Sequence, residues 1–154
     1  MLRIVAALMV LTFPAFAEGI EPRDGWQVYP TTKSYDELVS DVVEAVKANG
    51  LIVVTQAGPT KAAASRGITI PGNRVIGVFN NDFAVRVLET STAAMIEAPI
   101  RFYVTENSDG TATLSYKTPS YVFSPYAPEG GVELTKIAQE LDSRFQQVAE
   151  SAAK

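Results

Sequence analysis

The clearest pattern in this sequence is an amphipathic helix near the C-terminal end, and it limits what the rest of the chain can fold into. From Glu133 to about Ala152, apolar side chains recur at helical spacing and form one stripe: Leu134, Ile137, Ala138, Leu141, Phe145 and Val148. A helix with a single apolar stripe has to bury it against another layer of secondary structure. The sequence therefore predicts a layered domain with this helix on one side.

A β-hairpin upstream of that helix suits such a layout. Residues 100–106 alternate apolar and polar side chains, residues 111–117 do the same, and residues 107–110 (NSDG) form a typical hairpin turn. One face of the hairpin is apolar, and the other consists of Arg101, Tyr103, Thr105, Thr111, Thr113 and Ser115. This polar face could be the floor of a pocket, an interface between two copies, or a solvated surface.

Helical and strand patterns alternate through the preceding residues. They predict an edge strand at 26–32, a helix from Ser34 to Asn49-Gly50, a strand at 51–55, a short helix between Pro59 and Gly67, a strand at 74–79 and a helix from Asn81. The continuous apolar run at 51–55 indicates a strand that is covered on both faces. The order β-α-β-α-β-α-β-β-α predicts an α+β fold, in which helices pack on a single mixed sheet, and one globular domain over residues 26–154.

The first 17 residues have the features of a secretory signal peptide. A basic start at Arg3 is followed by an apolar stretch, Ile4 to Phe13, which is too short to span a bilayer. Ala15-Phe16-Ala17 then matches the small-x-small pattern of a signal-peptidase site. We therefore expect cleavage after Ala17, a flexible lead over residues 18–25, and a periplasmic or secreted protein without a membrane anchor. The alternative is that residues 1–17 form a buried first helix.

The absence of two residue types limits the chemistry of this chain. It contains no His and no Cys, which excludes disulfides, thiol catalysis, the Ser-His-Asp triad and the common zinc and haem sites. An enzyme built from this sequence would depend on carboxylates, Tyr or Lys. No P-loop, GxGxxG or DxDxDG motif is present. The sequence therefore predicts no cofactor, no metal and no catalytic residue.

The charge balance argues against two classes of partner. Removal of residues 1–17 leaves 12 of the 13 Lys and Arg residues and all 17 Asp and Glu residues, a net charge of −5. An acidic protein repels the phosphates of nucleic acid. No block of basic residues is present that could bind an anionic membrane surface.

Asn81 and Asp82 stand where the strand at 74–79 gives way to a helix. Asn81 suits the N-cap position, because its side-chain oxygen can accept a hydrogen bond from an unpaired amide of the first turn. Asp82 would then be the first helical residue, where a carboxylate favours the positive end of the helix dipole. A ligand role is the alternative, although Asp82 disfavours phosphate or sulfate at this helix start.

Two further groups are candidates for ligand binding. Lys61, Arg66 and Arg74 lie within 14 residues and could gather an anion, although such residues are more often solvated. Segment 118–131 (TPSYVFSPYAPEGG) is predicted to be an aromatic loop that acts as a lid or interface, or packs over the sheet edge. With two residues of the polar face, the predicted ligand-binding set is Lys61, Arg66, Arg74, Arg101, Tyr103, Tyr121 and Tyr126.

Several short segments occur in the order known from a bacterial family. They are Gly50–Val54, Ala64 with Gly67, Val75–Asn81, Pro99 before the strand at 100–106, Gly110, and Tyr116 with Pro119. Over about residues 30–125 the chain resembles the domain of unknown function 302 family. That resemblance implies a compact α+β domain, often dimeric, with no established activity. Two departures are Gln56-Ala57, where many members have Asp-His, and Asn81-Asp82, where the family has Asn-Pro.

Three functions are compatible with these features. The sequence favours a periplasmic, non-enzymatic module, a homodimer, that binds a small ligand or a protein partner. The first alternative is a structural partner subunit, which a large apolar patch at Tyr121, Phe123 and Tyr126 would favour. The second is a small enzyme that uses carboxylate, Tyr or Lys chemistry, which would require such groups to converge in one pocket.

Overall fold

The computed structural model describes residues 19–154, so the predicted signal peptide at residues 1–17 lies outside the described residues. The strands are β1 (Trp26–Pro30), β2 (Ile52–Ala57), β3 (Asn73–Phe79), β4 (Ile100–Glu106) and β5 (Ala112–Lys117). The helices are α1 (Tyr35–Ala48), α2 (Thr60–Ala64), α3 (Asn81–Thr90), α4 (Pro119–Phe123) and α5 (Ala127–Ala152), with short 3-10 helices at Ala93–Glu97 and Ser124–Tyr126. Within this range, none of the helices has the length and apolar character that a membrane span needs. The predicted α+β fold with one sheet is confirmed.

The five strands form one sheet in the order β1-β5-β4-β3-β2, and every neighbouring pair is antiparallel. The prediction of a mixed sheet is therefore wrong. Helices between strands suggest crossovers to parallel neighbours, but the connections that contain α2 and α3 join adjacent antiparallel strands and return to the end of the sheet that they left. The connection that contains α1 does cross the sheet, but it joins β1 and β2 at opposite edges, so these two strands are not neighbours. Val78 of β3 pairs with Ile100 of β4, so residues 80–99, which include α3, leave and re-enter the sheet at the same end.

Strand β2 lies at an edge of the sheet, and the prediction that it is covered on both faces is wrong. Its side chains are mostly exposed, including Ile52 at 56% and Val54 at 47%. The register with β3 shifts between Val53 and Thr55, which makes Val54 the bulged residue. An apolar run predicts a strand, but it does not show whether a second layer or a second molecule covers that strand.

The predicted apolar stripe of α5 forms the centre of the core. All six of its residues are buried, and α5 packs against α1, α3 and α4. Phe145 reaches the sheet, where its ring stacks on Phe102 with the centroids 4.5 Å apart. The backbone at Gly131 leaves helical geometry, with φ 61° and ψ −155°, a conformation that glycine adopts at little cost. This break explains why the continuous stripe begins only after Gly131.

Segment 118–131 is not a loop, because it forms α4, the following 3-10 helix and the start of α5. Thr118 caps α4, since its Oγ1 accepts a hydrogen bond from the Tyr121 amide at 3.2 Å, and Pro119 occupies the first helical position. Phe123 is 4% exposed and belongs to the core, whereas Tyr121 is exposed. Capping by Thr118 therefore allows a helix to form in a segment whose prolines had indicated a loop.

The start of α3 is capped by Asn80, so the assignment of Asn81 as the cap is wrong by one residue. Asn80 has extended backbone angles, and its Oδ1 accepts hydrogen bonds from the Asp82 amide at 2.9 Å and the Phe83 amide at 3.1 Å. Its Nδ2 donates to the Gly50 carbonyl at 2.9 Å. Asn81 is thus the first helical residue, and Asp82 follows it in the first turn, where its carboxylate still favours the helix dipole.

Replacing Asn80 with Ala will lower the free energy of unfolding by about 1–2 kcal/mol, because two amides of the first turn and the Gly50 carbonyl lose their partner. Urea denaturation of the purified variant measures this change. Asn81→Ala is the matched control, since the exposed Asn81 side chain forms no hydrogen bond within residues 19–154, and it is expected to stay within about 0.5 kcal/mol of the parent. Equal effects of both substitutions would contradict the assignment of Asn80 as the cap.

Candidate functional site

A cavity of about 570 Å³ lies between the polar face of the sheet and the segment formed by α4 and the following 3-10 helix. We call it the Trp26 cavity, and its lining includes Trp26, Val75, Glu97, Arg101, Tyr103, Lys117, Tyr121, Val122, Ser124 and Pro125. The volume lies in the range of small-molecule sites in proteins. Its residues come from four strands and three helical segments, and strand pairing and helix packing bring them together.

Strand register places the floor of the Trp26 cavity on one face of the sheet. Tyr103 of β4 lies opposite Val75 of β3 and Ser115 of β5, and Trp26 of β1 lies opposite Lys117 of β5. Directly opposed residues of antiparallel strands share a face, as do residues two apart in one strand. The Asn73 amide nitrogen donates to the Tyr103 hydroxyl at 2.5 Å, which leaves the hydroxyl proton of Tyr103 free to donate to another group.

The polar face is not uniform along its length. Arg101 is exposed and Tyr103 is half-buried at the end that forms the cavity floor, whereas Thr113 and Ser115 are buried. At the far end, Gly19 lies beside the hairpin, where an added Cβ would come within 3.0 Å of Asn107 Oδ1 and 3.5 Å of Thr113 Oγ1. One end of this face is therefore covered by the chain itself, and the other is accessible.

The wall of the Trp26 cavity is α4, which three contacts hold in place. Asp142 of α5 accepts hydrogen bonds from the amide of Ser120, at 2.9 Å, and from its hydroxyl. The Thr118 amide donates to the Gly25 carbonyl at 2.8 Å. The Tyr121 ring lies directly on Gly25, where a Cβ would fall 2.2 Å from the ring carbons. The wall is thus tied to the main helix and to the residue that precedes β1.

Basic side chains dominate the charge of the Trp26 cavity. Arg101 and Lys117 are exposed, and neither forms an ion pair or a side-chain hydrogen bond within the described part of the chain. The Lys117 ammonium lies 5.7 Å from the centroid of the Trp26 ring, and the Arg23 guanidinium lies 5.2 Å from the same centroid. Because the whole protein carries a net charge of −4, this is a local concentration of positive charge on an acidic molecule.

Glu97 is the acidic side chain of the lining. The Tyr126 hydroxyl donates to its Oε1 at 2.7 Å, and this hydrogen bond raises the pKa of the Tyr126 phenol above its usual range. Tyr126 therefore stays protonated at neutral pH and acts as a donor to the carboxylate. Burial raises the pKa of the Tyr116 phenol, whose ring packs on Phe102 and Phe145 in the core, so Tyr116 remains neutral as well.

The structure brings together part of the predicted ligand-binding set. Arg101, Tyr103 and Tyr121 line the Trp26 cavity, and Tyr126 lies behind it as the donor to Glu97. The other three predicted residues do not line it. Lys61 and Arg66 are exposed in and just after α2, and Arg74 donates a long hydrogen bond of 3.4 Å to Gln56 Oε1.

Three important residues of the cavity were not predicted. Trp26 and Lys117 meet because β1 pairs with β5, a contact between residues far apart in the sequence. Glu97 reaches the cavity from the 3-10 helix Ala93–Glu97, a segment without a clear periodic pattern. A usable signal exists for Lys117, which continues the alternation of the polar face two residues after Ser115.

Three titratable side chains of the Trp26 cavity bear on whether it could catalyse a reaction. Glu97, Tyr103 and Lys117 are titratable and converge on one cavity, as a small enzyme would require. No hydrogen bond or ion pair joins any two of these three side chains within residues 19–154. A nucleophile that is activated by a neighbouring base needs such a contact. Residues 19–154 also contain no cluster of three or more acidic side chains that could hold a metal ion.

Comparisons with known proteins identify the fold and the family. The chain is similar to the crystal structure of an uncharacterized conserved DUF302 protein from Bacillus stearothermophilus, with a TM-score of 0.74 and 17% sequence identity over 86% of this chain and 100% of that chain. At this identity the likeness supports the fold alone. No curated protein matches the chain. The family model described as Domain of unknown function DUF302 matches residues 27–152, which extends from β1 to the end of α5. Because this match covers most of the sequence, the chain belongs to the DUF302 family.

Proposed function

We propose that this chain is a periplasmic, non-enzymatic module that binds a small organic anion in the Trp26 cavity. The observation that supports this function best is the pair of basic side chains, Arg101 and Lys117, beside the aromatic rings of Trp26, Tyr103 and Tyr121. Within residues 19–154 neither cation is neutralised by an acidic partner. A ligand with an anionic group and an apolar or aromatic body matches both features.

The physical chemistry of the cavity favours such a ligand over other classes. Aromatic walls bury the apolar body of a ligand, while charged groups at fixed positions select its orientation. Arg101 presents a planar guanidinium that can bind a carboxylate or phosphate through two parallel hydrogen bonds, and Lys117 adds a point charge. The acidic remainder of the surface repels large polyanions, so a small anion is favoured over nucleic acid.

Binding can be measured directly because Trp26 is the single tryptophan of the sequence and lines the cavity. Phenylacetate is expected to change the fluorescence of Trp26 in the protein that comprises residues 18–154, and phenylacetamide, which is similar in shape but uncharged, is expected to bind at least about tenfold more weakly. Arg101→Gln is expected to weaken phenylacetate binding by about tenfold, because a charge-assisted hydrogen bond is lost. Isothermal titration calorimetry gives the dissociation constants.

Arg66→Gln is the matched control for that experiment. It removes the same charge from an exposed position just after α2, outside the Trp26 cavity. Its affinity for phenylacetate should equal that of the parent protein. The proposal is rejected if the anion and the amide bind equally, or if Arg66→Gln and Arg101→Gln have the same effect.

A second candidate function is self-association as a homodimer, or attachment to a partner as a structural subunit. The observation that favours it is edge strand β2, which exposes Ile52 and Val54 and, among residues 19–154, has a neighbouring strand on only one side of its backbone. Exposed edge strands pair readily with a second chain. The bulge at Val54 limits such pairing, because a bulge interrupts a regular ladder. A dimer and the Trp26 cavity are compatible, since β2 does not contribute to the cavity lining.

Native mass spectrometry of the protein recovered from the periplasm is expected to give a dimer of chains that begin at Glu18. The mass of each chain tests the predicted cleavage after Ala17. The number of chains in the assembly tests the predicted pairing at β2. Val54→Lys should convert the dimer to a monomer, because a charged residue at an edge strand opposes pairing. A monomer for the parent protein would rule out the dimer, and an unprocessed chain mass would rule out the predicted cleavage.

A further inference from the structure

We infer that the ligand of the Trp26 cavity is a zwitterion, whose cationic group is bound by Glu97 while its anionic group is bound by Arg101 and Lys117. This inference rests on the proposed function and specifies the class of its ligand. It depends on the geometry of Glu97, on the ion pairs of the protein and on the size of the cavity.

Glu97 is held as a binding group would be. It ends the 3-10 helix Ala93–Glu97 and is half-buried at the cavity. The Tyr126 hydroxyl fixes one carboxylate oxygen at 2.7 Å, and the Tyr126 ring is itself packed against the hydrophobic core. One oxygen of Glu97 is therefore fixed by the protein, and the second has no hydrogen-bond partner within residues 19–154. A carboxylate that is oriented in this way loses little freedom when it binds a ligand.

No basic side chain in the described part of the chain forms an ion pair with Glu97. Across the described residues, ion pairs within 4.0 Å join Lys33 to Asp41, Arg86 to Glu133 and Glu140, and Lys136 to Glu133. Glu97, Arg101 and Lys117 are in none of these pairs, although all three line one cavity. The cavity therefore presents unpaired charges of both signs.

A simple anion satisfies only part of this charge pattern. As a ligand fills the cavity and displaces water, Glu97 loses solvation and also repels a second negative charge. A ligand with an ammonium group compensates for this loss, and it keeps its anionic group for Arg101 and Lys117. Glu97 thus acts against anions that lack a cation, which is how binding sites commonly exclude related molecules.

The cavity volume restricts the size of the zwitterion. About 570 Å³ accommodates an amino acid with an aromatic side chain, or the phosphoethanolamine headgroup of a lipid. Both molecules carry an ammonium and an anion on a short skeleton. The inference concerns the ammonium and the anion that both molecules share. The experiment below distinguishes between these two sources of the ligand.

The test compares matched ligands by isothermal titration calorimetry on the parent protein, residues 18–154. L-Phenylalanine is the zwitterion, N-acetyl-L-phenylalanine lacks the cation, and L-phenylalaninamide lacks the anion. Phosphoethanolamine and ethyl phosphate form a second pair that represents a headgroup. We expect the zwitterion of at least one series to bind about tenfold more tightly than its partner without the ammonium. The series with the larger ratio identifies the source of the ligand.

Glu97→Gln provides the second measurement. It should weaken binding of the preferred zwitterion by about tenfold and leave the affinity for the ligand without the ammonium unchanged or higher. Arg101→Gln should weaken both. If N-acetyl-L-phenylalanine or ethyl phosphate binds as tightly as its zwitterion, this inference is overturned while the proposed function stands. If neither the zwitterions nor the anions without an ammonium bind, the inference and the proposed function are both overturned. The ranking on the parent protein decides the question even if Glu97→Gln does not fold.

Discussion

Replacing Phe145 with Ala is expected to lower the free energy of unfolding by about 3–5 kcal/mol. Phe145 is 1% exposed and belongs to the apolar stripe of α5. Its ring stacks on Phe102 of β4 at 4.5 Å and contacts Tyr116 of β5 at 5.4 Å between centroids. These contacts join the helical layer to the two strands that carry most of the cavity floor.

The size of this effect has two sources. The side chain loses the free energy of transfer from water, and the space that it leaves is bounded by side chains that cannot fully close it. Because domains of this kind are stable by only about 5–15 kcal/mol, the loss is a large share of the total. Guanidinium chloride denaturation followed by circular dichroism measures the change.

Val132→Ala is the matched control for Phe145→Ala. Val132 belongs to the same helix but is 73% exposed, so its truncation removes few contacts. Its free energy of unfolding should stay within about 0.5 kcal/mol of the parent. A loss below about 1 kcal/mol for Phe145→Ala would show that the aromatic cluster is not the centre of the core.

The core was predictable because its signal is local. The spacing of Leu134, Ile137 and Leu141 is enough to predict the buried face of α5, and the alternation along residues 100–106 and 111–117 is enough to predict the hairpin. Strand direction is different, because it depends on where a connection re-enters the sheet. Val78 pairs with Ile100, and no short stretch of sequence indicates this pairing. Similarly, the shift of the cap from Asn81 to Asn80 depends on where β3 ends.

The candidate site was predictable only in part for the same reason. Arg101 and Tyr103 are two residues apart on one strand, so the alternation of the hairpin places them on one face. Trp26 and Lys117 are brought together by the pairing of the first and last strands, and no local pattern indicates it. Lys61, Arg66 and Arg74 illustrate the opposite error, in which closeness along the sequence suggested a site that does not coincide with the cavity.

Reversing both charges of the Trp26 cavity, with Arg101→Glu and Lys117→Glu together, is expected to weaken binding of a small anion by at least about 100-fold. The double variant loses two attractive interactions, each of roughly 1.5 kcal/mol, which together correspond to about 100-fold, and the two repulsive interactions that it gains weaken binding further. Both residues are exposed and outside the hydrophobic core, so the free energy of unfolding should change little. Calorimetry with phenylacetate measures the affinity.

The control for this variant must carry the same net charge. Lys61→Glu with Arg66→Glu changes the charge of the protein by the same amount, at exposed residues outside the Trp26 cavity. If anions are bound by Arg101 and Lys117 themselves, this control retains the parent affinity at physiological salt, where exposed charges more than about 8 Å apart are largely screened. If both double variants lose affinity equally, attraction by the overall field explains the binding, and the cavity is not the site. If the difference in affinity between the two double variants persists as the salt concentration is raised, the anion is bound by Arg101 and Lys117.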